Sequence, residues 1–373
     1  MLNDAPQVPG KQLPGKQRFG RNGEGSVIVV LSDRPDRSQP LVDAVRAVAE
    51  CRVVGTDETW ARIGPFRGVI ADITLSRPEA KRCLRLLASR PARTRAPLIC
   101  LTRGNEQSAF TEARNLGATL CLSALAEPRM VVGSLVREVW PEKSVADLVV
   151  TREAERAGTL MTRLFESAQT GPIDLPSVER GIAPVLDAIH EGGLSRWLDE
   201  VWAHDDVTFQ HCLLVSGVVA AFAQNLGLSA TDKQLMTRAA LVHDVGKSRI
   251  PLAVLNKPGR LDDDERAVMQ THAPIGHEIL MASGGCDPIT LAVTRHHHEM
   301  LDGSGYPDKL CADAIGDPVR LLTICDIYAA LIERRPYKVP MSSRDALSIL
   351  SSMQGKLEGG LVQAFGRAVQ TVP

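Results

Sequence analysis

From residue 26 the apolar positions fall in short unbroken runs, SVIVVL, CRVVG, GVIADI, PLICLT and ATLCLS, with amphipathic text between them. Unbroken runs bounded by turn signals fit strands covered on both faces, and the stretches near 41–49, 79–88 and up to Gly117 fit crossover helices. The alternation predicts an α/β doubly wound, flavodoxin-like domain with a parallel sheet over residues 26–140. Before it, residues 1–25 are polar and rich in Gly and Pro without an apolar core segment, so they are expected as a disordered tail and not a signal peptide. Residues 141–174 read as a charged helical linker. From 175 to 373 helical text continues, punctuated by Gly and Pro, and predicts an all-α bundle.

Composition narrows the partners. A length of 373 residues fits two folded domains. With 43 basic against 44 acidic side chains and few aromatics (7 Phe, 4 Trp, 3 Tyr), the chain lacks the footprint of a nucleic-acid binder. Its longest strongly apolar stretch, 213–223, falls well short of the ~20 residues that span a bilayer, so no membrane partner is expected. Eight cysteines without a C-x-x-C pair suggest free thiols in a reducing, cytoplasmic setting. The basic run Arg77, Lys81, Arg82, Arg85, Arg90, Arg93, Arg95 and Arg103 is expected to be solvated surface.

The element order of 26–140 resembles a response-regulator receiver domain. By that resemblance Asp72 is the phospho-acceptor, Asp33 the sole acid after the first strand and Thr102 the hydroxyl position. The receiver lysine is missing, since the fifth strand runs into Ser123, Ala124 and Leu125. A degenerate receiver used for contact and a working switch are both open on this reading.

All nine histidines lie between 190 and 298. The set His211, His243-Asp244, His272, His297-His298 and Asp326 falls on or beside helices expected at 209–226, 234–244, 265–281, 289–298 and 320–331. Seven ligands from five helices converge only if the helices pack as a bundle with those side chains inward. Imidazole nitrogens suit Fe, Mn and Zn, and Asp244 can bridge two ions with its two oxygens. Two ions about 3.5–4 Å apart activate a nucleophile and offset charge on a phosphoryl oxygen, and Lys247 can add a cation there. Asp244 in the apolar text AALVHDVGK needs a metal or an ion-pair partner. His190, His204, His277 and His296 read as ordinary histidines.

The words AALVHDVGKSRIP, LNKPGRLDDDE, HAPIGHEIL, HHEMLDGSGYP and CDIYAALIERRPYK resemble, in order and spacing, the HD-GYP family of the HD phosphohydrolase superfamily. The resemblance implies an HD-type bundle over 175–373 with two divalent metal ions, iron or manganese. The implied activity is hydrolysis of cyclic di-GMP to pGpG, or on to GMP. By the same resemblance His211, His243, Asp244 and Asp326 ligate one metal, with Asp244 bridging to a second on His272, His297 and His298. Val207 stands where members with a third metal carry an acid, which favours a binuclear centre and pGpG. Asp244 and Lys247 are the implied catalytic groups. Lys247, Arg335 and Lys338 are implied phosphate contacts, Asp205 an acidic substrate contact, and Gly305, Tyr306 and Pro307 the GYP loop. Implied partners are a homodimer, a diguanylate cyclase of the GGDEF kind and a histidine kinase. Where the family reads D-x-x-D-A this chain has Ala329, so a cyclic-dinucleotide sensor or scaffold without turnover is the alternative.

Overall fold

The computed structural model describes residues 27–56, 65–89, 96–103, 106–203, 207–257, 259–334, 341–370 and 372. The tail expected at 1–25, and Arg90, Arg93, Arg95, His204, Asp205, Arg335 and Lys338, lie outside the described residues.

Five strands form one parallel sheet: β1 (Val27–Ser32), β2 (Glu50–Gly55), β3 (Gly68–Asp72), β4 (Leu98–Thr102) and β5 (Leu120–Ser123), ordered β2-β1-β3-β4-β5. That is the flavodoxin-like doubly wound order. Residues of β3 and β4 are buried throughout, as strands covered on both faces must be. Alternation along β1 assigns each side chain to one of two cores. Val29 and Leu31 pack with Ala80, Cys83 and Leu84 of α2 (Pro78–Ala88) and Ala113 of α3 (Glu106–Asn115). Ile28 and Val30 pack with Leu41, Val42 and Val45 of α1 (Gln39–Arg46) and Val131, Val132 and Leu135 of α4 (Pro128–Val139). The in-register pair Ser32 and Asp72 brings the carboxyl ends of β1 and β3 together, the edge where open α/β sheets bind ligands.

The rest of the described chain is helical, beginning with α5 (Val145–Thr170), α6 (Leu175–Trp202), α7 (Val207–Asn225) and α8 (Ala230–Val242). It continues through α9 (Leu252–Leu255), α10 (Asp263–Gln270), α11 (His272–Ser283), α12 (Pro288–His296), α13 (Asp317–Ile332), α14 (Ser343–Ser352) and α15 (Gly359–Ala368). A capping box between Ser144 and Asp147 starts α5. This helix serves both parts of the molecule: Leu148 and Val149 join the α1/α4 side of the sheet, while Ala154, Ala157, Met161, Leu164 and Phe165 join the bundle core.

α7 is apolar on nearly every side and is the central helix of the bundle. Its contact with α6 depends on Gly217, where an added Cβ would stand 2.1 Å from the Trp197 ring. Trp197 is fully buried and donates its indole N–H to the Leu213 carbonyl at 2.9 Å. The eight cysteines are free thiols, and among the described residues no helix is long and apolar enough to cross a membrane.

One expected helix differs. The 265–281 segment is two helices, α10 and α11, meeting at Thr271, and the break places His272 at the start of α11.

Candidate metal centre

Most of the histidines expected as ligands sit at helix ends. His243 and Asp244 follow α8, His272 follows α10, and His297 and His298 follow α12. The last carbonyls of a helix have no partner within it, so they can accept from a nearby imidazole. His243 Nδ1 donates to Ala240 O at 2.7 Å, His272 Nδ1 to Met269 O at 2.7 Å, and His297 Nδ1 to Thr294 O at 3.0 Å. A carbonyl only accepts, so each neutral ring carries its proton on Nδ1 and presents a bare lone pair at Nε2.

Those lone pairs converge on Asp244. His272 Nε2 and His297 Nε2 lie 3.2 and 3.6 Å from Asp244 Oδ1, and 3.3 Å from each other. On the other side, Oδ2 is 3.4 Å from His243 Nε2 and 3.9 Å from His211 Nε2, and it pairs with the Lys247 ammonium. Asp326 closes the ring, with Oδ1 at 2.8 Å from His211 Nε2 and 3.8 Å from His243 Nε2, and Oδ2 at 3.6 Å from His298 Nδ1. Three overlapping donor groups result among the described residues: Asp244-His272-His297-His298, His211-His243-Asp326, and Cys212-His243-Asp244, the last with a thiol that the sequence did not single out. All seven residues singled out from the sequence therefore meet.

The donor set fits metal ions on an observation of its own. Among the described residues His243 Nε2 and Asp244 Oδ1 are buried with no hydrogen-bond partner, and the facing His272 and His297 lone pairs repel unless a cation stands between them. Electrostatics agree. Burial lowers the His272 pKa, and burial with the neighbouring His297 charge lowers that of His298 well below the usual range, so both rings are neutral donors near pH 7. Burial alone would raise the Asp244 pKa, yet the Lys247 ammonium beside it holds it well below the ordinary carboxylate range. For Lys247 burial opposes charge, but Asp244 prevails and the ammonium is retained.

The GYP loop closes one side. Tyr306 lies over His298 with ring centroids 4.7 Å apart, and its backbone N–H donates to the His298 carbonyl. An added Cβ at Gly305 would come within 2.5 Å of backbone atoms of His298, Glu299 and Met300, so only glycine allows this approach. Buried Glu299 accepts from the Asp308 and Leu310 amides at 2.7 and 3.0 Å, and Asp308 is gripped by Arg295 and His296. Glu299 and the Arg295-Asp308 pair were not foreseen from the sequence. Neither was Gly246, where a Cβ would stand 1.9 Å from the His272 carbonyl oxygen; it lets the turn after α8 touch α11.

At the sheet, Asp72 accepts from Ser38 Oγ at 2.7 Å and pairs with Arg103, directly after Thr102. Arg103 is exposed, as expected of the solvated basic run, and in addition supplies a cation to Asp72 at the strand ends, a pairing no local pattern signals. Asp33 accepts from the Thr74 amide at 3.0 Å and lies 3.6 Å from Arg77.

Buried imidazoles sharing one carboxylate inside a helical bundle define a metal-binding helical domain. Residues 194–360 match the HD domain family, and the motifs within them are those that resemble its HD-GYP members. Among relatives, the cyclic di-GMP phosphodiesterase response regulator RpfG of Xanthomonas campestris is 27% identical over 343 residues, 89% of this chain and 85% of that protein. The cyclic di-GMP phosphodiesterase PA4108 of Pseudomonas aeruginosa is 32% identical, across 45% of this chain and 41% of its own length. A 3'3'-cGAMP-specific phosphodiesterase 1 of Vibrio cholerae is 35% identical, across 40% and 34%. The chain thus spans under half the length of the last two.

Proposed function

We propose that this chain is a cytoplasmic, metal-dependent phosphodiesterase that hydrolyses cyclic di-GMP to pGpG under the influence of a receiver-like domain. The observation that carries the reading is Asp244, a buried carboxylate with histidine lone pairs on one oxygen and a lysine on the other. Two divalent ions, iron or manganese, suit this nitrogen and oxygen donor set, and when bound they supply Lewis acidity and a nucleophile at neutral pH. Asp244 sets Oδ1 beside His272 and His297 and Oδ2 beside His243 and His211, so one carboxylate serves both sides of the centre. Lys247, partly exposed beside Oδ2, offers its ammonium to a phosphoryl oxygen of the substrate. Arg335, Lys338 and Asp205 are the remaining proposed substrate contacts. Tyr306 forms a wall against His298 that limits water on that side.

The proposed units are a tail over 1–25, a receiver-like domain over 26–140, a helical linker over 141–174 and an HD-GYP domain over 175–373. The relative that matches across most of both chains is named a response regulator, which supports modulation through the first domain. A histidine kinase acting on Asp72, a diguanylate cyclase and a second copy of the chain are the partner classes that follow. The test is product chromatography with anaerobically purified full chain and Fe(II) or Mn(II). Conversion of cyclic di-GMP to pGpG is expected, and no product with either metal contradicts the proposal. Ala329, a buried methyl where the resemblance leads one to expect an acid, favours the second reading, a sensor that binds without turnover. Tight binding with no hydrolysis over hours is its signature.

A further inference from the structure

We infer that Glu333 is a positioning residue for His211, its buried carboxylate holding the Nδ1 edge of the ring so that Nε2 faces the donor group shared with His243 and Asp326. The inference rests on reading the centre as metal-binding. His243, His272 and His297 are each oriented by a backbone carbonyl at the end of a helix. His211 has no such means. It lies inside α7, where the carbonyls one turn back are committed to the helix ladder. Among the described residues its Nδ1 has no hydrogen-bond acceptor, and the one carboxylate within ion-pairing distance of that atom is Glu333, with Oε2 at 4.0 Å.

The placement of Glu333 is not an accident of the surface. Only 1% of it is exposed, and it caps α13 two turns after Asp326. Residues seven apart share a helix face, so Asp326 and Glu333 approach the same imidazole from its two nitrogen edges. Ala329, between them, offers only a methyl group packed in the core. A carboxylate set on the far nitrogen of a ligating histidine fixes the tautomer and strengthens the lone pair on the other. A ring shift of about 1 Å turns the 4.0 Å contact into a hydrogen bond.

The test compares Glu333→Ala and Glu333→Gln with the unsubstituted full chain, each freed of metal and titrated with Mn(II) by calorimetry. Ring-nitrogen NMR of His211 runs beside it. Glu333→Ala is expected to weaken one of the two Mn(II) sites by about 10–100-fold, leave the other within about twofold, and mix the His211 tautomers. Glu333→Gln, which keeps an acceptor oxygen but not the charge, should lose less. Should Glu333→Ala not fold, Glu333→Gln carries the test alone. Equal weakening of both sites, or affinities and His211 shifts unchanged from the unsubstituted chain, overturns the inference. If the unsubstituted chain itself takes up no pair of Mn(II) ions, the metal-centre reading fails and the inference goes with it.

Discussion

Asp72 at the mouth of the sheet and Asp244 at the heart of the bundle are both buried carboxylates on the carboxyl side of an apolar element, yet their surroundings differ in kind. Asp72 is satisfied by protein alone, with Ser38 on one oxygen and Arg103 on the other. Asp244 has Lys247 on Oδ2, but Oδ1 faces imidazole nitrogens that carry no proton when the rings are neutral. A hydrogen bond from His272 to Oδ1 would need a doubly protonated ring, and burial opposes that. The satisfied carboxylate closes a structural network. The other leaves electron pairs that only an added cation can use.

Several experiments break or sharpen this contrast. Asp244→Asn should cost hydrolysis about 10³-fold or more, because a stabilisation of several kcal/mol depends on the carboxylate that serves both sides of the centre. Asp72→Asn should leave that rate within about twofold of the unsubstituted chain, since no metal depends on it. Trp197→Ala should lower bundle stability by about 3–5 kcal/mol in denaturant melts while leaving the sheet's own signal little changed. Gly246→Ala drives a methyl into the His272 carbonyl, so a loss of about 1–3 kcal/mol together with weaker metal uptake is expected, measurable by melting with and without Mn(II).

The smallest expected effect concerns the GYP loop. Asp308 is held down to about 2 by its hydrogen bond to Arg295, assisted by His296. A depressed carboxylate stabilises above its unfolded pKa of roughly 4 and loses that contribution as the pH falls towards 2. Asp308 is partly exposed, so Asp308→Asn should cost under about 1 kcal/mol at pH 5–8. The difference between the two melting curves should vanish below about pH 2.

Much of this was legible in the chain. Apolar runs gave strands, and five histidine- or aspartate-bearing segments at helical spacing gave a convergent set, because periodicity and residue chemistry are local properties. What stayed hidden depends on long-range approach. Nothing around Gly246 announces that it touches the His272 carbonyl. Arg103 looks like any surface arginine until the sheet folds Asp72 beside it. The break at Thr271 interrupts a continuous helical pattern, and its consequence, a Met269 carbonyl within reach of His272 Nδ1, appears only once the ring is in place. Glu333 lies in text that reads as a basic turn, and burial alone reveals its direction.

Metal analysis of the anaerobically purified full chain beside Asp244→Asn tests the central claim most directly. About two divalent ions per unsubstituted chain, falling to well under one in the variant, is the predicted result. An unsubstituted chain without bound metal that also fails to take up Fe(II) or Mn(II), or a variant that retains the full complement, would contradict it.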